Sequence, residues 1–199
     1  AEVYLNYAEA KAELGEITQG DLDVSVNKIR ARAKMPNLNL KAANDSPDPY
    51  LSSAETGYAN VTGANKGVIL EIRRERNIEL VLESQNRWWD LMRWKEGACI
   101  GQKMEGLYIP ADKIGKAYDV NGDGNADICV YSGTQPSVKE NVTWFNLDTD
   151  YKLSEKGSGK IVFFSDIVRK WNEERDYFYP IPKEDIILTG GKIEQNKGW

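Results

Sequence analysis

The chain of 199 residues carries a formal net charge of −5 and has a pI near 5.0. Its 41% hydrophobic and 29% charged residues are typical of a globular protein with enough apolar side chains for a core. Acidic residues outnumber basic ones, and no basic cluster stands apart from them. The phosphates of a nucleic acid would be repelled by such a chain, so no nucleic acid is expected as a partner.

The residue types also exclude several kinds of catalytic site. The chain has no histidine, whereas Ser–His–Asp triads, Cys–His pairs and HExxH zinc sites all depend on an imidazole. The two cysteines, Cys99 and Cys129, form no CxxC motif. The two cysteines have two interpretations: they form a disulfide with each other, or they are small buried residues. The second is more common for isolated cysteines. Catalysis by a pair of carboxylates, as in glycosidases, is compatible with the composition.

Residues 1–36 predict two antiparallel helices. Gly15 supplies a left-handed C-cap for the first helix, Asp21 is the expected N-cap of the second, and Pro36 closes it. Such a helix pair has the plan of a tetratricopeptide-type repeat. A single repeat cannot bury its apolar face alone, and no second copy follows. We therefore expect this chain to be the C-terminal portion of a longer protein.

Residues 37–67 are rich in Asn, Asp, Ser, Pro and Gly and predict loops. Residues 68–97 predict one long helix or two helices in tandem. At 100° per residue one apolar stripe contains Ile69, Ile72, Leu80 and Leu91, and the opposite stripe contains Ile78, Leu82 and Trp89. A helix that is apolar on two faces is expected to be enclosed by other elements.

The same segment is densely charged. Three pairs lie at helical spacing: Arg76 with Glu79, Glu83 with Arg87, and Asp90 with Arg93. Since an unpaired charge in an enclosed place costs several kcal/mol, on the order of 3–5, we expect these charges to be paired and hydrogen-bonded.

Residues 106–165 change to short apolar runs separated by turns. The runs LYIP, DICVY, VTWF and KIVFF predict strands, and SGTQPS and SEKGSG between them predict hairpins. Residues 166–199 form a tail that is first aromatic, then fixed by the prolines of PIP, and then a short helix or turn.

Within this region, DVNGDGNADICV over residues 119–130 predicts a calcium site. Oxygen ligands at alternate positions, with glycine between them, are what Ca²⁺ requires. The expected ligands are the side chains of Asp119, Asn121, Asp123 and Asp127 and the carbonyl of Asn125. The twelfth position lacks the glutamate of an EF-hand, so the loop resembles the calcium loops between strands of extracellular proteins. An acidic turn without an ion is the alternative.

Three segments resemble the SusD/RagB family of nutrient-binding lipoproteins. IRRERNIELVLESQNRWWDLMRWKEG is similar to the family pattern RRERxxELxxEGxRxxDLxRW and departs from it at Ser84 and Gln85. The ending YFYPIPKEDI…QNKGW is similar to that of the family, with Lys197 where proline is usual. LNYAEAKAELG…NKIRARAKMP matches the family's last tetratricopeptide-like helix pair.

The resemblance implies a mainly α fold: a SusD-like helical scaffold with a last tetratricopeptide-like helix pair, plus an irregular insertion with short β-hairpins. SusD-like proteins are lipid-anchored on the outer surface of Bacteroidetes cells. They cap a SusC-like TonB-dependent transporter and capture oligosaccharides, or sometimes peptides, without acting as enzymes. Members are much longer than this chain, so the lipidated cysteine is expected upstream and is neither Cys99 nor Cys129.

The aromatic residues of the chain are interpreted in two ways. In RWWDLMRW, Trp88, Trp89 and Trp94 are expected to anchor the core rather than stack on sugar, because burying a Trp stabilises by roughly 2–3 kcal/mol. For ligand binding, aromatic residues on the insertion are the better candidates, since binding residues concentrate on loops held by a rigid scaffold. These candidates are Tyr108, Tyr131, Trp144 and Tyr151, with Asn141 and Asn146 nearby. A buried hairpin residue is the alternative for each.

Two other functions are compatible with parts of the sequence. One is a helical-repeat module that binds protein partners, which would lack the charged-helix and tail motifs. The other is a calcium-dependent secreted carbohydrate-active enzyme with a carboxylate pair, which would turn over a glycan. Neither accounts for all three family-like segments.

Overall fold

The computed structural model describes residues 1–83 and 86–199, and the chain divides into two compact units. Unit 1 comprises residues 1–100 and 171–199, and unit 2 comprises residues 101–170. Among the described residues, eight α-helices lie in unit 1 and six β-strands in unit 2. No helix in these ranges is long and apolar enough to cross a membrane. The structure thus has helices in one unit and short strands in the other.

Helix α1 (Glu2–Glu13) ends at Gly15 as predicted. The N–H of Gly15 donates to the Ala12 carbonyl at 3.1 Å, and the N–H of Glu16 donates to the Lys11 carbonyl at 3.0 Å. This pair of bonds closes a helix when the intervening residue is left-handed, and Gly15 has φ +76°.

The second predicted helix differs from the prediction in two ways. Its N-cap is Thr18 rather than Asp21, because the Thr18 hydroxyl accepts the Asp21 N–H while the Asp21 carboxylate accepts the Thr18 N–H. The segment also breaks at Ser25 into α2 (Gln19–Val24) and α3 (Val26–Arg32). Ser25 is fully buried and its hydroxyl donates to the Asp21 carbonyl, a side-chain bond that competes with the regular helix. The tetratricopeptide-like pairing therefore stays an interpretation.

Two short helices occupy the region predicted as loop. They are α4 (Leu40–Asp45), capped by Asn39, and α5 (Pro49–Ser52), capped by Asp48. In each case the cap's side-chain oxygen accepts a backbone N–H of the first turn, which satisfies a donor that the helix leaves open. The loop prediction was wrong here because the capping residues were counted only as loop formers.

Residues 68–97 contain two helices, α6 (Lys66–Glu79) and α7 (Asn86–Arg93). The first predicted stripe is buried: Ile69, Ile72, Leu80 and Leu91. The opposite stripe is not enclosed in the described part of the chain, since Leu82 is 98% and Trp89 51% exposed, and Ile78 is exposed as well. The prediction of burial on both faces was therefore wrong. Ser84 and Gln85, where the motif departs from the family pattern, lie outside the described residues.

The core of unit 1 is formed by α1, α2, α3 and α6. Its largest fully buried side chains are Leu5, Leu22, Val26, Val68, Leu70 and Ile72. Helix α4 comes so close to α6 that a Cβ on Gly67 would lie 1.8 Å from the Ala43 carbonyl oxygen, so only glycine fits there.

In the C-terminal tail, residues 195–196 are hydrogen-bonded to residues 179–181. After α8 (Lys183–Leu188), the Gln195 side chain accepts the N–H of Ile181 at 2.8 Å and donates to the carbonyl of the same residue at 2.9 Å. The Asn196 amide donates to the Tyr179 carbonyl at 2.7 Å. The PIP and QN segments of the tail motif are thus joined by side-chain-to-backbone bonds. Lys197, at the position usually held by proline, forms an exposed ion pair with Glu174.

Unit 2 contains two three-stranded sheets. The first has the order β1-β6-β5 and is antiparallel, with β1 (Met104–Ile109), β5 (Lys152–Glu155) and β6 (Ser158–Phe163). The hairpin predicted at SEKGSG is confirmed, since it joins β5 to β6. The second sheet has the order β2-β3-β4, with β2 (Ala117–Tyr118), β3 (Ile128–Tyr131) and β4 (Thr143–Asn146).

The hairpin predicted at SGTQPS is wrong, because β3 and β4 are parallel. Parallel neighbours need a long crossing connection, here residues 132–142. The Ser132 hydroxyl and the Gly133 N–H, just after β3, both donate to the Asp148 carboxylate, just after β4. These bonds hold the carboxyl ends of the two strands side by side.

Candidate functional site

A buried ion network connects α1, α6 and α7. Arg76 donates from Nε and Nη2 to the two oxygens of Asp90 at 2.8 and 2.9 Å, and from Nη1 to Asn6 at 2.6 Å. Arg76 and Asp90 are both buried. This geometry, two parallel bonds from a planar guanidinium to a carboxylate, is the strongest that such a pair can form.

Glu9 is the second buried carboxylate of the network. It accepts bonds from Arg93, at 2.6 Å from Nη2, and from the Trp94 indole at 2.6 Å. Arg93 also pairs with Asp90, as its spacing predicted. The other two predicted pairs do not form in this part of the chain: Arg76 binds Asp90 across the helix break, and Arg87 donates to the Tyr58 hydroxyl.

Arg73 extends the charged region toward the aromatic side chains. Its guanidinium lies 4.4 Å from the Trp94 ring centroid and 5.3 Å from that of Tyr58, and it donates to Glu96 at 3.2 Å. Burial raises the pKa of Glu96, and the nearby Arg73 charge opposes that rise. The charged groups pair within unit 1, although the buried Arg73 Nε has no hydrogen-bond partner among the described residues. We assign the charged helices a scaffold role.

The three tryptophans of RWWDLMRW are placed differently. Trp94 is buried and Trp88 is half-buried in an edge-to-face contact with Trp171, at 6.2 Å between ring centroids. Trp89 is 51% exposed, so the expected core role was wrong for this residue in the described structure. Gly97 lies directly against Trp171: a Cβ there would be 2.1 Å from the ring.

In the acidic loop of residues 119–130, side-chain carboxylates accept hydrogen bonds from backbone N–H groups of the same loop. The Asp119 carboxylate accepts the N–H groups of Gly122 and Gly124 at 2.7 and 2.8 Å, and the Asp127 carboxylate accepts the Val120 N–H at 2.8 Å. The bonds from Gly124 and Gly122 lower the pKa of Asp119. Within the described ranges, no group of three or more Asp, Glu, Cys or His side chains is close enough to hold a metal ion.

The remaining predicted ligands of this loop also bond locally. Asn121 accepts the Asp123 N–H at 2.8 Å, and Asp123 accepts the Asn125 N–H at 2.8 Å. The same Asp123 oxygen also accepts a bond from the Asn125 side-chain amide at 3.2 Å. The set has the carboxylate and amide oxygens that Ca²⁺ prefers, gathered in one loop.

The four aromatic candidates of unit 2 do not form one surface. Tyr131 is buried, and its ring meets that of Trp144 edge-to-face at 5.7 Å, so these two stabilise the second sheet. Tyr108 is 52% exposed on β1. Tyr151 is half-buried between the rings of Phe145 and Phe163, at 5.1 and 5.4 Å.

One of the four, Tyr151, borders a groove of about 580 Å³ in unit 2. One wall is the turn from Leu147 to Lys152 between β4 and β5, and the other is the end of β6 with the turn that follows, from Phe163 to Asp166. Phe164 and Asp166 were missed by the sequence analysis. Phe164 had a sequence signal, as the last aromatic residue of the predicted strand KIVFF, whereas Asp166 had none.

Both cysteines are free thiols, with Cys129 buried and Cys99 half-buried. Burial raises the pKa of both thiols. The interpretation of the cysteines as small buried residues therefore fits Cys129 fully and Cys99 in part.

Comparison with known proteins places these features in a family. The model of the SusD family matches residues 1–199. The fold is similar to that of a SusD-like protein from Bacteroides fragilis, with 22% identity and a TM-score of 0.52; the match covers all of this chain and 24% of that chain. No curated protein sequence matches. The chain thus spans about a quarter of the length of this structural relative.

Proposed function

The chain belongs to the SusD family, and from this membership we propose that it is part of a cell-surface protein that binds oligosaccharides for nutrient uptake. The observation that carries the proposal is the match of the family model to all 199 residues. The three sequence segments that resemble the family are also the ones that build the ion network and the closed tail of unit 1. The family resemblance and the architecture therefore rest on the same residues.

The proposal is binding without catalysis. The chain lacks histidine, and the buried charged side chains of α6 and α7 are engaged in ion pairs within unit 1. The alternative of a general helical-repeat module is less well supported, because the family match includes unit 2 and the tail. The alternative of a glycan-cleaving enzyme predicts turnover, which a binding protein lacks.

We further propose the cellular setting that family membership implies. The full-length protein would be held at the outer membrane, facing outward, by an N-terminal lipid. There it would pass its oligosaccharide to a SusC-like TonB-dependent transporter. Peptides are the alternative cargo.

A structural calcium ion belongs to this proposal. Asp119, Asn121, Asp123, Asn125 and Asp127 supply the hard oxygen donors that Ca²⁺ takes. When bound, the ion would neutralise the clustered carboxylates and fix the loop that enters β3. In its absence, the N–H groups of Gly122 and Gly124 satisfy the Asp119 oxygens.

Affinity electrophoresis tests the proposed function. The 199-residue chain is run through gels cast with plant, host-mucin and microbial polysaccharides, and the same mixtures are assayed for new reducing ends. We expect retardation by at least one polysaccharide and no new reducing ends. Retardation by none, or cleavage of the polysaccharide that retards it, contradicts the proposal for this chain.

A further inference from the structure

The groove between the β4–β5 turn and the turn after β6, which we call the turn groove, has the size of a ligand site. Its volume of about 580 Å³ lies within the range of roughly 300–1,000 Å³ that is common for small-molecule pockets. It lies entirely within unit 2, and the part of β6 that borders it belongs to a paired strand. Most of its lining belongs to the two turns, which are anchored by Lys152 at the start of β5 and Phe163 at the end of β6.

The exposed ring of Phe164 borders the turn groove, and the backbone of this residue is strained. Phe164 is 60% exposed and has φ +52°, a left-handed conformation that residues other than glycine, asparagine and aspartate rarely adopt. Its turn is closed by the bond from the Ile167 N–H to the Phe164 carbonyl at 3.0 Å. Strained residues of this kind concentrate at ligand sites, and here the strain displays an apolar face to solvent.

A cluster of aromatic rings in tilted and edge-to-face contact lies beside the groove. Tyr151, which borders it, contacts Phe145 and Phe163, and Phe163 precedes Phe164 in the chain. These contacts restrict the rotamers of Tyr151 and Phe163, so this part of the groove wall is already ordered when a ligand arrives. The C–H faces of a sugar ring pack on such a surface.

The charge of the turn groove selects among sugars. Three carboxylates, Asp148, Asp150 and Asp166, and one ammonium, Lys152, give a net charge of −2 (three negative, one positive). Bonds from the Gly133 N–H and the Ser132 hydroxyl lower the pKa of Asp148, which keeps it ionised. Carboxylates accept strong hydrogen bonds from sugar hydroxyls but repel sulfate, uronate and sialate groups.

We propose that the turn groove is a binding site for neutral sugar units, with Phe164 as its stacking ring and Asp166 as an acceptor of sugar hydroxyls. This inference rests on the proposed function, because it assigns a place and a charge class to the glycan. It also predicts discrimination against anionic glycans, which the family assignment alone does not.

The test compares two matched variants of the 199-residue chain. Phe164→Asn removes the groove ring while keeping a residue that tolerates the left-handed conformation. Tyr50→Asn removes an aromatic side chain of similar exposure, 64%, that lies in unit 1 and outside the groove. Asp166→Asn, at an exposed position, removes one acceptor charge without disturbing the core. Melting curves of all three check that each variant is folded.

Each protein is run through gels cast with neutral glucans, mannans and galactans, and through gels cast with polygalacturonate and chondroitin sulfate. We expect the wild type and Tyr50→Asn to be retarded by a neutral glycan only. Binding should weaken at least about tenfold in Phe164→Asn, the loss of a central aromatic contact, and by a few-fold in Asp166→Asn.

Two results overturn the inference while the proposed function stands: unchanged glycan affinity in both groove variants, or preference for the anionic gels. Retardation of the wild type by no glycan overturns both together. The outcomes therefore separate a misplaced site from a mistaken function.

Discussion

The buried bond between Arg76 and Asp90 gives the sharpest prediction about stability. Asp90→Asn keeps the shape of the side chain but removes its charge. The four-residue network changes from two arginines and two carboxylates, a net charge of zero, to a net charge of +1. The amide can also accept with only one oxygen, so one of the two bonds from the buried Arg76 guanidinium is lost.

The expected cost follows from burial. Breaking a buried pair by neutralising one partner costs about 3–5 kcal/mol, because the other charge stays buried without its counter-ion. Arg93 contributes less to this figure, since its side chain is 46% exposed and water screens it. For a chain of this length such a loss lowers the melting temperature by roughly 6–20 °C.

Urea unfolding followed by tryptophan fluorescence measures the loss, since five of the six tryptophans lie in unit 1. The matched control is Asp45→Asn, whose partner Lys41 is 84% exposed; this pair should contribute less than about 1 kcal/mol. If Asp90→Asn costs no more than Asp45→Asn, with an unchanged slope against urea, the assignment of the network as a buried stabilising element is refuted.

Three other changes have defined outcomes. Millimolar Ca²⁺ should raise the melting temperature of the wild type, reversibly with EDTA, but not that of Asp119→Asn; no shift in the wild type contradicts the calcium site. Gly97→Ala should cost roughly 1–3 kcal/mol in urea unfolding, because its Cβ would lie 2.1 Å from the Trp171 ring. A neutral effect would contradict that packing. The hydrogen bond from Tyr7 helps hold the pKa of Asp21 at about 2, below its ordinary 3.8. Its contribution to stability is therefore present above pH 3.8 and lost as the pH falls toward 2. In Asp21→Asn, the melting temperature should fall less than in the wild type between about pH 5 and pH 2, and an equal fall contradicts the assignment.

Features with local causes could be predicted from the sequence. The end of α1 at Gly15 depends on one residue that adopts the left-handed conformation without strain. The β5–β6 hairpin depends on a glycine-containing turn between two apolar runs. In both cases the residues that determine the structure lie within a few positions of it.

Features that depend on distant contacts could not be predicted in the same way. The break at Ser25 coincides with a fully buried hydroxyl, and the parallel pairing of β3 and β4 is held by Asp148 beyond the end of β4. Helical periodicity predicted an ion pair between Arg76 and Glu79. In the structure the chain breaks between α6 and α7, and Arg76 pairs with Asp90 instead. Sequence spacing gives the set of charges but not their partners.

The turn groove also combines a feature that could be predicted from the sequence with one that depends on distant contacts. Tyr151 was predicted from its place on the insertion, but the groove forms where the β4–β5 turn meets the residues after β6. Phe164 lies 13 positions beyond Tyr151 in the sequence (164 − 151), and its exposure depends on a left-handed turn that its residue type disfavours. The sequence marks Phe164 as an aromatic residue at the end of a predicted strand, and the structure places it at the groove.

The central claim is that this chain binds a glycan and leaves it intact. Isothermal titration calorimetry with the oligosaccharide units of whichever polysaccharide retards the chain, followed by chromatography of the same sample, tests it most directly. We expect saturable binding to the 199-residue chain and recovery of the oligosaccharide at its original length. Heat that does not saturate, or the appearance of shorter products, would contradict it.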